Sequence, residues 1–160
     1  MAKELSKLTG YKLFHNHLTS DVVRSILPHG TKEGENLVNK YRLELIEVAA
    51  KKKIDVIFIF LYAKSQSDDG FIKKVVRRVK KNRGKVCFVQ LTCSKKELMR
   101  RIKNPTRKDF AKIRELKILE ELMKRHDVVS PVSYPGNFVI DNTTMSPKKV
   151  AIRIKKHFDL

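Results

Sequence analysis

Val56-Ile57-Phe58-Ile59-Phe60-Leu61 is an uninterrupted apolar run. A strand with one wet face alternates apolar and polar residues. A run apolar at every position is what a strand covered on both faces requires. Val86-Cys87-Phe88-Val89-Gln90-Leu91 repeats the pattern, broken only at Gln90. Two such strands need helices above and below them, and helical apolar stripes flank both. The same runs exclude a membrane span. The longest, Val56 to Ala63, is far short of the ~18–20 residues a bilayer demands.

The remaining segments alternate in the same way. Ala2 to Leu8 predicts a helix closed by Gly10, without an N-cap residue before it. Tyr11 to Phe14 predicts a strand. A helix from Thr19 or Ser20 carries Val22, Val23, Ile26 and Leu27 inward and ends before Pro28. After the loop His29-Gly30-Thr31, a longer helix carries Leu37, Val38, Tyr41, Leu45, Val48 and Ala49, closed by Lys51-Lys52-Lys53. Ile54 to Leu61 is the next strand. Ser67-Asp68-Asp69-Gly70 opens a helix with Phe71, Ile72, Val75, Val76 and Val79 inward, and Gly84 stops it. Ser94-Lys95-Lys96-Glu97 is a capping box. A helix through Ile113, Leu116, Leu119, Leu122 and Met123, a strand Phe138 to Asp141, and a helix opened by Ser146-Pro147 complete the chain. This alternation predicts an α/β fold with a parallel, doubly wound sheet in one domain, residues 1–160.

Charge is the second constraint. Lys and Arg number 36 and Asp and Glu 17, a net +19. Residues 1–70 contribute 11 basic and 9 acidic groups, residues 71–160 contribute 25 and 8. A half-chain this basic attracts phosphates, of nucleotides or of nucleic acid, unless it is simply a solvated lysine surface. The face Lys73, Lys74, Arg77, Arg78, Lys80, Lys81 is the part that could track a phosphate backbone, giving weak nucleic-acid binding. Cys87 and Cys93 give no disulfide or zinc framework, which points to a reducing, cytoplasmic setting.

Two segments carry chemistry. His15-Asn16-His17 falls at a strand end, where ligands of open α/β sheets bind. It is either a polar turn or a pair that hydrogen-bonds a substrate or moves a proton. No third ligand stands near it to make a metal site. Arg100-Arg101-Ile102-Lys103-Asn104-Pro105-Thr106-Arg107-Lys108 is either a solvated helix end or a basic flap that closes on phosphates. The phosphate loop G-x-x-x-x-G-K-[ST] is absent: only Gly84 precedes a lysine, and Val86 follows it.

Taken together, Tyr11 to Thr19, Lys85 to Leu91, Asn104 to Asp109 and Ile140 to Pro147 resemble the P-loop kinase-like proteins. These are the AAA-family ATPases or shikimate-kinase-like proteins, related to the shikimate, gluconate and nucleoside-monophosphate kinases. The resemblance covers essentially the whole chain. It implies a three-layer parallel sheet of order 2-3-1-4-5, ATP and Mg²⁺ as cofactors, and transfer of a phosphoryl group to a small-molecule or nucleotide acceptor. By position, His15, Asn16 and His17 would line the acceptor site, Arg101, Arg107 and Lys108 would belong to a lid spanning about residues 100–127, and Asn142 and Thr143 would lie near the adenine. Met1 to Leu5 would fall just after the phosphate loop. The expectation is therefore an N-terminally truncated domain lacking strand 1 and that loop, inactive as residues 1–160 and restored by about 20 upstream residues, the size of a strand plus a loop. No Walker-B-like Asp follows Leu61 (Tyr62-Ala63-Lys64 stand there), so no Mg²⁺ ligand is assigned. The alternatives are a basic nucleic-acid-binding protein and a non-catalytic relative that acts as a subunit, its gap filled by a partner's strand.

Overall fold

A computed structural model describes residues 1–104 and 115–160. The order is α1 (Ala2–Thr9), β1 (Lys12–His15), α2 (His17–Arg24), α3 (Lys32–Lys51), β2 (Val56–Ile59), α4 (Gln66–Lys81), β3 (Val89–Thr92), α5 (Lys95–Ile102), α6 (Leu116–Arg125), β4 (Phe138–Asp141) and α7 (Pro147–Phe158). The alternation is the one the apolar runs require. The strands form two parallel pairs. β1 lies on β2 with Lys12 opposite Val56, and β3 lies on β4 with Val89 opposite Phe138. β2 is shorter than the apolar run that contains it, and β3 begins three residues into its run and ends one residue past it.

Successive residues of β2 serve opposite cores, as two-sided burial demands. Ile57 packs with Leu5, Val150, Ala151 and Ile154 of α1 and α7, together with Val89, Phe138 and Ile140 of the other pair. Phe58 and Phe60 pack with Leu43, Ile46, Phe71, Val75 and Val79 of α3 and α4, where Val86 also joins. The two strand pairs are thus bridged by helical cores, one on each face.

Local signals account for most boundaries. Gly10 closes α1 in the left-handed region at φ 76°, its N–H donating to the Ser6 carbonyl. Gly84 is required by closeness: a Cβ there would stand 2.7 Å from Val79 Cγ1. Ser94 and Ser146 each accept from the backbone N–H three residues on.

Several expectations are corrected. α2 starts at His17, two residues before the expected cap, with Asn16 as N-cap and no side-chain cap bond. α3, by contrast, starts at Lys32 directly after the loop His29-Gly30-Thr31 as expected, with Thr31 Oγ1 accepting from Gly34 N–H as its cap. α4 starts at Gln66, capped by Ser65 and not by Ser67. The inward face of α3 is Arg42, Leu43 and Ile46, whereas Tyr41, Leu45 and Val48 are exposed. That helix is apolar nearly all round from Tyr41 to Ala50, so periodicity could not choose its face, and packing on α4 did. On α2 only Val23 of the expected stripe is buried. Val22 and Ile26 are exposed. Ile113 lies outside the described residues.

Ile154→Ala removes a side chain that is 1% exposed at the centre of the α1–α7 core. It should lower unfolding free energy by about 2–5 kcal/mol in chemical denaturation. Ile152→Ala, two residues away and 48% exposed, should cost less than about 0.5 kcal/mol.

Candidate functional site

The finishing ends of the strands carry two polar clusters, each organised by one arginine. At the end of β1, Arg42 reaches across from α3 and is buried. Its Nε donates to Thr19 Oγ1 (3.2 Å) and its Nη2 to the Asn16 carbonyl (3.2 Å) and Ser20 Oγ (3.1 Å). Its Nη1 donates to Asn39 Oδ1 (3.4 Å), and Phe60 lies under the guanidinium at 6.0 Å. Burial pulls this guanidinium below its ordinary pKa, against the attraction of Asp68 and with the repulsion of Arg24. An arginine stays charged even so, and here its bonds go to neutral acceptors.

The same carbonyl of Asn16 accepts from Thr19 Oγ1 (3.1 Å) and Ser20 Oγ (3.2 Å). His15 and His17 flank it with stacked rings 5.1 Å apart, and His17 N–H donates to His15 Nδ1 (3.3 Å). His15, Asn16 and His17 therefore stand together at the finish of β1, fixed through the backbone of Asn16. Arg42 was missed in the sequence. Its only signal is a cation set against an apolar helical stripe.

At the end of β4, Asp141 Oδ1 accepts from Thr143 N–H (2.7 Å) and Thr143 Oγ1 (2.6 Å). These bonds, the side-chain one first, hold the Asp141 carboxyl below its usual range. Arg101 on α5 donates through Nη1 to Asn142 Oδ1, and through Nη2 to the Asn142 carbonyl (2.7 Å) and the Thr143 carbonyl (3.5 Å). Its Nε donates to Glu97 Oε1 (2.6 Å). The structure thus brings Arg101, Asn142 and Thr143 into one cluster. The expected capping box is only half made. Ser94 Oγ accepts from Glu97 N–H, but the Glu97 carboxylate turns to Arg100 and Arg101, and Ser94 N–H donates to Thr143 Oγ1. Arg107 and Lys108 lie outside the described residues.

Past β2, the carboxylates of Asp68 and Asp69 accept from Ala63 N–H (2.8 Å) and Tyr62 Oη (2.6 Å). Burial, then the Asp69 bond, raises the Tyr62 pKa. Among the described residues no three His, Cys, Asp or Glu side chains gather as a metal site. No helix among them is long and apolar enough to cross a membrane.

No family model and no curated protein matches the chain. Among solved structures it is similar to a putative kinase from Chloroflexus aurantiacus J-10-fl, at TM-score 0.66 and 13% identity over 99% of this chain and 87% of that one. It is also similar to the tunicamycin resistance protein of Deinococcus radiodurans, at TM-score 0.60 and 16% identity over 99% of this chain and 89% of that one. At such identities the likeness concerns the fold, which is kinase-like.

Two outcomes follow from the arginine clusters. Arg42→Lys should strip the fork from Asn16, Thr19 and Ser20 and cost about 1–3 kcal/mol of stability, with amide exchange in α2 rising most. Glu97 is held at about 2, first by its bond to Arg100, then by Arg101. A lowered folded-state pKa stabilises above the ordinary carboxylate value and is lost as pH falls. The wild-type denaturation midpoint should therefore drop as pH falls from about 4.5 to about 2. Glu97→Gln should flatten that limb, the difference shrinking in high salt.

Proposed function

We propose that the chain is a phosphotransferase-like domain of P-loop kinase type, serving ATP-dependent transfer to a small-molecule or nucleotide acceptor. The observation that carries this reading is the likeness to kinase-like structures over 99% of the chain. The strand pairing is compatible with it. β1–β2 and β3–β4 would be the pairs 2-3 and 4-5 of the order 2-3-1-4-5, with the place of strand 1 between them.

Polar groups collect at strand ends in the manner of ligand sites of open parallel sheets. In this reading His15, Asn16 and His17 face the acceptor. Asn142 and Thr143 lie beside the nucleotide base. Arg101, with Arg107 and Lys108, belongs to a lid that neutralises phosphate charge. The bonds of Arg101 to Asn142 and Thr143 would couple the lid's base to the nucleotide side. ATP and Mg²⁺ fit only partly. No described residue supplies a phosphate cradle, and Asp68 and Asp69 are committed to Ala63 and Tyr62. Residues 1–160 are therefore expected not to turn over ATP.

A second reading has its own observation. α4 presents Lys73, Lys74, Arg77 and Lys80 to solvent, and Lys53 Nζ bonds the Asn82 carbonyl (3.0 Å), joining the basic ends of α3 and α4. Such a face suits a phosphate backbone.

One set of titrations separates the two. ADP should shift the NMR resonances of residues 141–143 and raise the melting temperature. Asn142→Ala should abolish both effects and Lys74→Ala should leave them. Random-sequence RNA should bind without displacing ADP. Steeply salt-dependent RNA binding with no response to ADP would favour the second reading, and ATP turnover by residues 1–160 would refute the expected inactivity.

A further inference from the structure

The strands start beside the carboxyl ends of four helices. α1, α3 and α4 lead into β1, β2 and β3, and α7 runs back to the start of β4, where His157 stacks on Phe138 with ring centroids 3.7 Å apart. α3 runs out through Lys51, Lys52 and Lys53, and α4 through Lys80, Lys81 and Arg83, all of them exposed. Lys53 Nζ donates to the Asn82 carbonyl (3.0 Å), which joins these two ends. On the other face of the strands α7 runs out through Lys155 and Lys156, and Lys155 Nζ donates to the Leu8 carbonyl near the end of α1 (3.1 Å). Two rows of cations thus flank the strand starts, one on each face. Between them lies a cavity of about 960 Å³ bounded by β2 and β3, and Lys53, Arg83, Lys85, Asp55 and Asp159 line its starting end.

Helix dipoles account for part of this charge. A cation in the last turn meets the negative end of its helix, and the effect fades beyond that turn. Lys53 and Arg83 stand past the C-caps Lys52 and Asn82. Both lie in the left-handed region, at φ 56° and 60°. Each closes the same pattern of bonds. Lys53 N–H donates to the Ala50 carbonyl and Ile54 N–H to that of Ala49, as Arg83 N–H donates to Lys80 and Gly84 N–H to Val79. Glycine suits the residue at that place, because a Cβ there is strained. Two neighbouring helices carry a cation on it instead, and both residues line one opening. Strained backbone kept under a charge points to a use for the charge.

Cations on both sides of a recess suit two lines of phosphates, the backbones of a duplex. A single strand would be held by aromatic faces, and the rings at this end, Phe138, His157 and Phe158, are packed on one another. A bilayer would take apolar anchors. From Lys51 to Asp55 and from Lys80 to Lys85, Ile54 is the one exposed large apolar side chain. The helices end at this rim, so none projects from it into a DNA major groove. Asp55 and Asp159 sit among the cations, where they repel phosphates. The 2′-hydroxyls displayed in the wide, shallow minor groove of duplex RNA are donors that suit carboxylates, and DNA has none. We infer that this rim binds double-stranded RNA across its minor groove, with Lys53, Arg83 and Lys156 on the phosphates and Asp55 and Asp159 accepting from 2′-hydroxyls. The inference rests on the nucleic-acid reading above. It shifts the contact from the outer face of α4 to the end of the domain opposite His15 and Asn142.

The test uses the 160-residue chain and a mixed-sequence RNA duplex of about 20 base pairs, longer than the ~16 that present two minor grooves. A DNA duplex of the same sequence is the second probe. Binding is read by fluorescence anisotropy over a salt series. RNA should bind several-fold tighter than DNA. Lys53→Gly with Arg83→Gly should weaken RNA binding about tenfold or more and lower the salt slope by about 2. The melting temperature of that variant should hold or rise, because glycine relieves both left-handed residues. Lys81→Gln with Lys156→Gln should weaken binding in the same way, and keeps the test valid if the glycine pair does not fold. Lys73→Gln with Lys74→Gln, on the outer face of α4, should leave RNA binding unchanged. Asp55→Asn with Asp159→Asn should strengthen DNA binding and narrow its gap to RNA. The inference is overturned if DNA binds as tightly as RNA, or if the aspartate pair leaves the gap intact. It is overturned, with the nucleic-acid reading left standing on α4, if the outer-face pair weakens binding and the rim pairs do not. It falls together with that reading if neither duplex binds. Rim-dependent binding to phosphatidylserine vesicles with none to RNA would also overturn it and assign the surface to a membrane. No mononucleotide enters the assay, so the phosphotransfer reading is judged separately by ADP binding.

Discussion

The hydrogen-bonding needs of β2 and β3 govern this molecule. β2 is apolar on both faces, and β3 sets Val89 and Leu91 on one face against Gln90 and Thr92 on the other. Both strands sit half-buried for the most part, and a buried peptide edge must be paired. β1 and β4 satisfy one edge of each. The other edges open on a common slot. An unpaired buried amide costs roughly 1–3 kcal/mol, and a whole domain is stable by only about 5–15 kcal/mol. The helices carry what the sheet does not. On one face Leu5, Val150, Ala151 and Ile154 share a core with Ile57 of one pair and Val89, Phe138 and Ile140 of the other, and on the opposite face Phe58, Phe60 and Val86 pack on the core that holds Phe71 and Val75. The arrangement of the strand pairs therefore rests on side-chain packing, and the strands stay short beside the apolar runs that made them legible.

Packing also explains the two arginines. A strand end in a parallel sheet leaves carbonyls and turn hydroxyls pointing away from the ladder. Arg42 ties those of residues 16–20 to α3, and Arg101 ties those of residues 142–143 to α5. Their environments differ. Arg101 has the Glu97 carboxylate beside it, whereas Arg42 donates to a carbonyl, two hydroxyls and a side-chain amide oxygen. A guanidinium buried on neutral acceptors is expensive to strip of any one of them. That makes the position of His15, Asn16 and His17 a consequence of α3.

The legible parts were those where one residue type has one physical use. Continuous apolar runs meant two-sided strands. Gly10 meant a left-handed cap, and Ser146-Pro147 a helix start. On α7, Val150, Ala151 and Ile154 form the inward stripe, since Lys148, Lys149, Arg153 and Lys155 leave only Ile152 apolar elsewhere among residues 148–155. The illegible parts were those with several uses open. On α3 the apolar residues encircle the helix, and the inward face was settled by α4. Glu97 had three cationic or donor partners within one turn and took the arginines, leaving Ser94 N–H to Thr143. The joining of Arg101 to Asn142 spans 41 residues, and no local pattern encodes it.

The basic charge, read along the chain, was open to two readings, a phosphate-directed surface or solvated lysine. In space it divides. Arg100 and Arg101 lie on α5, which follows the finishing end of β3, in reach of Asn142. Arg78, Lys80 and Lys81 close α4, and Lys51 closes α3, where cations meet the negative ends of the helix dipoles. Glu47 pairs with both Lys51 and Arg78 there. Those helix ends precede or approach the starts of β2 and β3, opposite His15 and Asn142. An ion there is more than one ~8 Å screening length from the finishing ends, because a helix of 16 residues rises about 24 Å. The α3–α4 cations therefore contribute little to a site at the strand ends. Under the phosphotransfer proposal, neutralising charge at the strand ends falls to the α5 arginines and their neighbours, and the larger basic surface needs a separate explanation, in dipole compensation or in a polyanion of its own.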